Sequence, residues 1–296
     1  LKKSFFNPPS PRENEISMFI KSVRTLEQLP RLHRELDNAV AAANILHNTV
    51  PTPSLDEISM SLSFPNIGKR DEFLDKVITE SAVSLDKTLI RISGLIGQLH
   101  RHKSPIAASP ERMPAIPLSL DHLDTIGVEV GKYVCESSSD SYTLPTEGNC
   151  FIHGDLTLDN IHLNPVTKEV SIVDWELSGN GFPEDDISSL ISSLISLTLL
   201  RISTSGISKS AFAHALLEVY ELVHLFVCSY EKNTNRHLNT KLLTALTREK
   251  LRCRTMVALH MFGMHSIQFK VLKAASARID LDHVYAILNR RQEVSE

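Results

Sequence analysis

Residues 151–176 limit what this chain can fold into more than any other stretch. They read Phe-Ile-His-Gly-Asp-Leu-Thr-Leu-Asp-Asn-Ile-His-Leu, then a polar turn at Asn164-Pro-Val-Thr-Lys, then Val170-Ser-Ile-Val173 and Asp-Trp-Glu. Apolar runs this short, bounded by turn residues, predict a strand–turn–strand hairpin. Long segments on either side place apolar residues at helical spacing instead. The fold must therefore seat a small hairpin rich in polar side chains among helices, an α+β arrangement.

The hairpin predicts a chemistry as well. It delivers Asp174 beside a loop that carries His153, Asp155 and Asn160. Two carboxylates and an amide oxygen converging in this way suit phosphoryl transfer, where catalysis is mostly positioning and charge neutralisation. One carboxylate meets an incoming hydroxyl, and the other groups hold a cation on nucleotide phosphates. Taken singly, an Asp in a loop is a turn former; the linked set carries the reading.

The stretch resembles the core of the aminoglycoside phosphotransferase and choline kinase superfamily of small-molecule kinases. Its pattern is His-Gly-Asp, a spacer, Asn, and a later Asp-Trp pair, whereas protein kinases read His-Arg-Asp and Asp-Phe-Gly. Gly154 and Trp175 stand at the distinguishing places. The resemblance implies a two-lobed protein-kinase-like fold, with a small β-containing amino-terminal lobe and a mainly helical carboxyl-terminal lobe. It implies Asp155 as catalytic base, His153 as the residue orienting the catalytic loop, and Asn160 and Asp174 as magnesium ligands, with ATP as phosphoryl donor. It further implies a strand lysine on the nucleotide phosphates, oriented by a helix glutamate. Lys21, at the end of Ile16-Ser-Met-Phe-Ile-Lys21, and Glu35, opening an alanine-rich helical run through Leu46, stand at a separation that suits this pair.

Val50-Pro-Thr-Pro53 stops that helix, because proline lacks a donor and restricts its predecessor. Ile58, Met60, Leu62 and Phe64 then alternate with polar residues and predict a half-buried strand, ended by Pro65-Asn-Ile-Gly68. The boundary between lobes is placed here, with residues 1–68 as an incomplete nucleotide-binding lobe and hinge, and 69–296 as the helical lobe. The segment before Ile16 holds three prolines and no glycine, so no phosphate-covering glycine loop is assigned. Leu1 is not an initiator methionine, and either a trimmed start or a degenerate lobe is expected. The alternative reading is a kinase-like module that binds nucleotide or a protein partner without turnover.

Helices are predicted over 71–102, 118–134, 187–202, 208–232, 239–269 and 280–291. His100 is read as a polar residue near a helix end or as the family's Leu-His, Asp186 as a helix cap, and His162 as a strand surface residue. Glu184 and Asp185 are assigned to the surface, with the lining of an acidic acceptor pocket as the alternative. The cluster His260-Met-Phe-Gly-Met-His265 does not set two histidines on one helical turn, so core packing is predicted over metal binding.

A formal net charge of −4 argues against a phosphate-backbone partner as the main ligand. No window is long and apolar enough for a membrane span. Four cysteines without Cys-x-x-Cys pairing predict free thiols, a cytoplasmic location and no zinc. The acceptor is expected to be a small hydroxyl compound: an aminoglycoside, choline or ethanolamine, an amino-alcohol or a sugar. The 35 acidic residues suit a cationic one.

Overall fold

The computed structural model describes residues 19–65, 67–80, 85–104, 148–204 and 209–281. Its first unit is a three-stranded antiparallel sheet in the order β1-β3-β2, formed by β1 (Phe19–Ser22), β2 (Ser54–Asp56) and β3 (Ser61–Phe64). Helix α1 (Leu29–Leu46) lies against it. Pro30 in the first turn needs no helical donor there, and the alanines at 39 and 41–43 favour helix. Leu32, Ala39, Ala42 and Leu46 share its buried face with Glu35. Leu32, Leu62 and Phe64 make a small core under the sheet.

The strand expected over 58–64 is shorter than its alternation predicts. The Asp56 carboxylate accepts the Ile58 and Ser59 amides and the Ser59 hydroxyl, folding residues 57–60 into a turn. Met60 adopts positive φ there, and Ile58 is 97 % exposed. Local side-chain capture of the backbone overrides the period of two.

The helical part comprises α2 (Leu74–Glu80), α3 (Leu85–Leu99), α4 (Pro183–Thr204), α5 (Lys209–Thr234), α6 (Thr240–Phe262) and α7 (Ile267–Arg278). α3 packs on α5, α4 on α6, and α6 on α7 around one hydrophobic core. The region predicted as one helical stretch over 239–269 is broken at Gly263, where φ is +81°. Asn239 caps α6 through the Leu242 amide, and Ser266 caps α7 through the Phe269 amide. The segment 260–265 is exposed at this break, Met261 by 66 %. Its predicted core packing is therefore wrong: helix termination turns it outward. The helix expected over 118–134 and most of that over 280–291 lie outside the described residues.

Two short ladders sit between sheet and helices. β4 (Cys150–Ile152) pairs with β7 (Gly179–Gly181), and β5 (Ile161–Leu163) with β6 (Val170–Ile172), both antiparallel. The second is the hairpin read from the sequence. Asn164 closes it by accepting the Val166 and Thr167 amides. No described helix is long and apolar enough to cross a membrane.

Candidate active site

The loop after β4 is shaped by its backbone. Gly154 has φ +86°, and a Cβ there would stand 2.2 Å from the Leu177 carbonyl oxygen. Positive φ and this close approach both demand glycine. Gly154→Ala is expected to cost at least about 1–3 kcal/mol and to displace Asp155, visible as a lower midpoint in chemical denaturation. An unchanged midpoint would show that the loop tolerates a side chain.

Asp186 fixes this turn from below. Its carboxylate oxygens accept the His153 amide and the Gly154 amide, each at 2.8 Å. His100 adds its Nε2 at 3.1 Å, and its other ring nitrogen meets the Tyr230 hydroxyl at 2.9 Å. Burial disfavours the charged carboxylate, but His100, His153 and the backbone amide outweigh burial and hold the Asp186 pKa at about 2. Asp186 therefore lies within the first turn of α4 as the anchor of the loop, rather than as the helix cap expected from its position. The Leu-His reading of His100 is the one its buried hydrogen bonds support.

His153 is fully buried, with Nε2 2.9 Å from the Val173 carbonyl and Nδ1 accepting the Asp155 amide at 3.3 Å. A carbonyl accepts only, so Nε2 carries the proton and Nδ1 is free to accept. One tautomer thus ties the loop to the end of β6. Its ring stands edge-on to Trp175 with centroids 4.6 Å apart.

Asn160 follows from a 3₁₀ turn at Leu158–Asn160. Its Nδ2 donates to the Asp155 carbonyl at 2.9 Å and to the Asp155 carboxylate at 3.3 Å. The donor side of the amide is thereby committed, leaving its oxygen as the group on offer to a cation. The Val173 amide donates to the Asn160 carbonyl at 3.0 Å, bringing Asp174 alongside. Asp174 occupies the left-handed region at φ 67°, ψ 63°, an unfavourable conformation of the kind that accumulates at functional sites.

Across from it, Lys21 reaches Glu35 at 2.8 Å, Asp174 at 3.0 Å and Glu176 at 2.6 Å. Arg31 also pairs with Glu176 at 3.0 Å. Burial pulls the Lys21 pKa down, but Asp174, Glu35 and Glu176 together raise it well above its ordinary value. Glu35 is pushed up to about 7, chiefly by burial and against the pull of Lys21. Glu176 is buried yet held low by Lys21 and Arg31. Oxygens of Glu35, Asp174 and Glu176 lie within 4.8 Å of one another. Hard oxygen donors of this kind suit a hard divalent cation better than a softer metal.

Asp155 faces the other way, onto a cavity of about 270 Å³ lined by its own carboxylate, Ser189 and Leu200 from α4, Lys250 and Arg254 from α6, and Leu272 from α7. Burial raises the Asp155 pKa to about 7, helped by the charges of Asp159 and Asp174 and opposed by Lys250 and Arg254.

The structure thus brings together every residue singled out from the sequence: Asp155, His153 and Asn160 on the loop, Asp174 at the hairpin end, and Lys21 and Glu35 opposite. Several others stand differently from expectation. His162 is buried, bonded to Glu72 at 2.9 Å and edge-on to Phe73, rather than on the surface. Glu184 and Asp185 are buried too. Glu184 accepts the Asn239 amide, and Asp185 pairs with Lys250 at 2.7 Å. Lys250 itself, only 3 % exposed, carried no signal in a helix of ordinary composition. Asn38 was missed as well; its Nδ2 donates to the Trp175 and Ser178 carbonyls and ties α1 to the hairpin end.

Residues 83–221 match the phosphotransferase enzyme family. No curated protein matches the sequence. Among solved structures, the fold is similar to a choline/ethanolamine kinase family protein from Mesorhizobium loti, with 12 % identity over 91 % of this chain and 85 % of that one, at a TM-score of 0.50. It is also similar to aminoglycoside 2'-phosphotransferase-IIIa in its GDP complex, with 11 % identity over 88 % and 86 % of the two chains and a TM-score of 0.52. A third likeness is to an amicoumacin kinase in complex with AMP-PNP and Ca2+, with 11 % identity over 89 % and 82 % and a TM-score of 0.50. The family match runs through the catalytic loop and hairpin, and the chain shares the protein-kinase-like fold of these phosphotransferases.

Proposed function

We propose that this chain transfers the γ-phosphoryl group of Mg·ATP to a hydroxyl of a small molecule, with residues 1–68 and 69–296 as the two lobes. The observation that carries the reading is the position of Asp155. It lines the cavity of about 270 Å³ and is linked through Asn160 to the hairpin end that carries Asp174, the partner of Lys21. A single loop thus separates a site suited to phosphates from one suited to an acceptor. That kinases of the same fold are described with AMP-PNP or GDP supports a nucleotide on the Lys21 side.

Asp155, with a pKa of about 7, takes the acceptor's hydroxyl proton near neutral pH, where a base of matched pKa works best. The acceptor oxygen then bonds to the γ-phosphorus as the bond to the β–γ bridging oxygen breaks and ADP leaves. Asn160 and Asp174 would hold magnesium, which supplies charge neutralisation on the phosphates. Lys21, steered by Glu35, holds the phosphates in line. His153 and Asp186 keep Asp155 in place without touching substrate.

The test is transfer itself. The chain is incubated with Mg·ATP labelled in its γ-phosphate and a panel of small hydroxyl compounds, and the label is followed chromatographically. Label is expected to appear as a stable phosphate ester. Tight nucleotide binding with no ester from any acceptor would instead identify a binding module.

A further inference from the structure

The wall of the cavity has a charge pattern that phosphoryl transfer alone does not explain. α6 presents Lys250, Arg254, Val257, Ala258 and Met261 to it, a spacing that lines one stripe of a helix. Lys250 is already balanced, by Asp185 at 2.7 Å and the Ser189 hydroxyl at 2.6 Å. Arg254, one turn on, is half-buried and makes no ion pair or hydrogen bond among the described residues. Its charge acts on Asp155 across the cavity, but no described acceptor hydrogen-bonds its fork. Facing a cavity, it offers a planar fork suited to a carboxylate.

The rest of the wall settles what surrounds that fork. From Arg254 to Met261 the helix rises by about 10 Å, and the cavity is lined by Val257, Met261, Leu200 and Leu272 together with the Ser192 and Ser196 hydroxyl side chains of α4. Asp155 is the reacting group, and Asp159 stands exposed to water at the rim. Among the described lining residues no buried acid is left over to receive a cationic acceptor. The volume, at the lower end of ligand pockets, suits one small molecule.

We propose that the acceptor is an amphipathic hydroxy acid, with its hydroxyl at Asp155, its anionic group on Arg254 and its apolar body along Val257, Met261 and Leu272. This rests on the phosphotransfer reading above, and it reverses the cationic acceptor that acidic composition suggests. Arg254 is then the residue that sets specificity.

Three probes that differ only in charge test it: β-hydroxyoctanoate, its neutral amide, and the amino alcohol with an aminomethyl group in place of the carboxylate. Binding to the full chain with Mg·ADP is measured by calorimetry for wild type, Arg254→Gln and Arg254→Lys. Wild type is expected to prefer the carboxylate over the amide at least tenfold. The preference should vanish in Arg254→Gln and return in part in Arg254→Lys. Equal affinity for carboxylate and amide, preference for the amino alcohol, or no binding of the carboxylate would overturn the proposal. Turnover with labelled ATP separates the two levels. Arg254-dependent carboxylate binding without ester formation defeats phosphoryl transfer while leaving the specificity assignment standing. An equal fall in kcat for every acceptor in Arg254→Gln, with the affinity ratio unchanged, would place Arg254 on the transferred phosphoryl group instead.

Discussion

Asp155→Asn is expected to lower kcat by roughly 10²–10⁴-fold, the usual worth of a positioned acid or base, while the protein unfolds at nearly the wild-type temperature. The substitution keeps the shape of the side chain and removes its capacity to take a proton. Stability should change little, because the Asp155 carboxylate accepts only one long bond, from Asn160 at 3.3 Å. In the native state burial and the neighbouring charges of Asp159 and Asp174 raise its pKa to about 7. Relief of that charge crowding offsets what the Asn160 contact loses. The same pKa predicts the pH profile. The base works when deprotonated, so kcat/KM should rise with pH along a limb at or below about 7, since a cation near Asp174 would draw it downward. The limb should be missing from the residual activity of Asp155→Asn. A variant retaining wild-type turnover would remove Asp155 from the chemistry.

Asp186→Ala should do the opposite, damaging stability and activity together. It strands the His153 and Gly154 amides and the His100 ring, all buried, without their shared acceptor. Removing one partner from a buried charged network costs about 3–5 kcal/mol, which lowers Tm by on the order of 10 °C in a chain of this size. The acid limb of stability identifies the cause. A carboxyl whose folded pKa is depressed to about 2 contributes stability that is complete above its unfolded pKa of about 3.9. That contribution is lost as pH falls through the window down to about 2. Wild type should therefore lose stability across that window by an increment absent from Asp186→Ala. Thermal melts at stepped pH check this, and parallel pH profiles for the two proteins would contradict it.

These two carboxylates also show what was legible in the sequence. Asp155, Asn160 and Asp174 were found because one hairpin and its entry loop place them, and a hairpin is written in local turn chemistry. Lys21 and Glu35 were singled out because the resemblance calls for a strand lysine and a helix glutamate, and these two stand at a fitting separation. The two-lobed fold class followed from the family resemblance that the same stretch carries. Asp186 and His100 were seen but given other reasons. Their partners are backbone amides 32 and 33 residues away and a tyrosine 130 residues away. No local pattern encodes such contacts. Lys250 and Arg254 were invisible for the same reason: their meaning comes from α4 and α7 packing beside α6, and a basic residue on a helix is ordinarily a solvated one. Where local chemistry competed with periodicity, as Asp56 does against the strand expected through Ile58, the alternation misled.

The central claim is that Lys21, Asn160 and Asp174 form a magnesium–nucleotide site. It is tested most directly by thermal unfolding of the chain with ATP, with and without magnesium, beside Asp174→Asn. Ligand at about a hundredfold over Kd stabilises by roughly 2.7 kcal/mol, a shift of several degrees. The site predicts a magnesium-dependent rise in Tm for wild type that Asp174→Asn loses, and an equal rise in both proteins, or none in either, would contradict it.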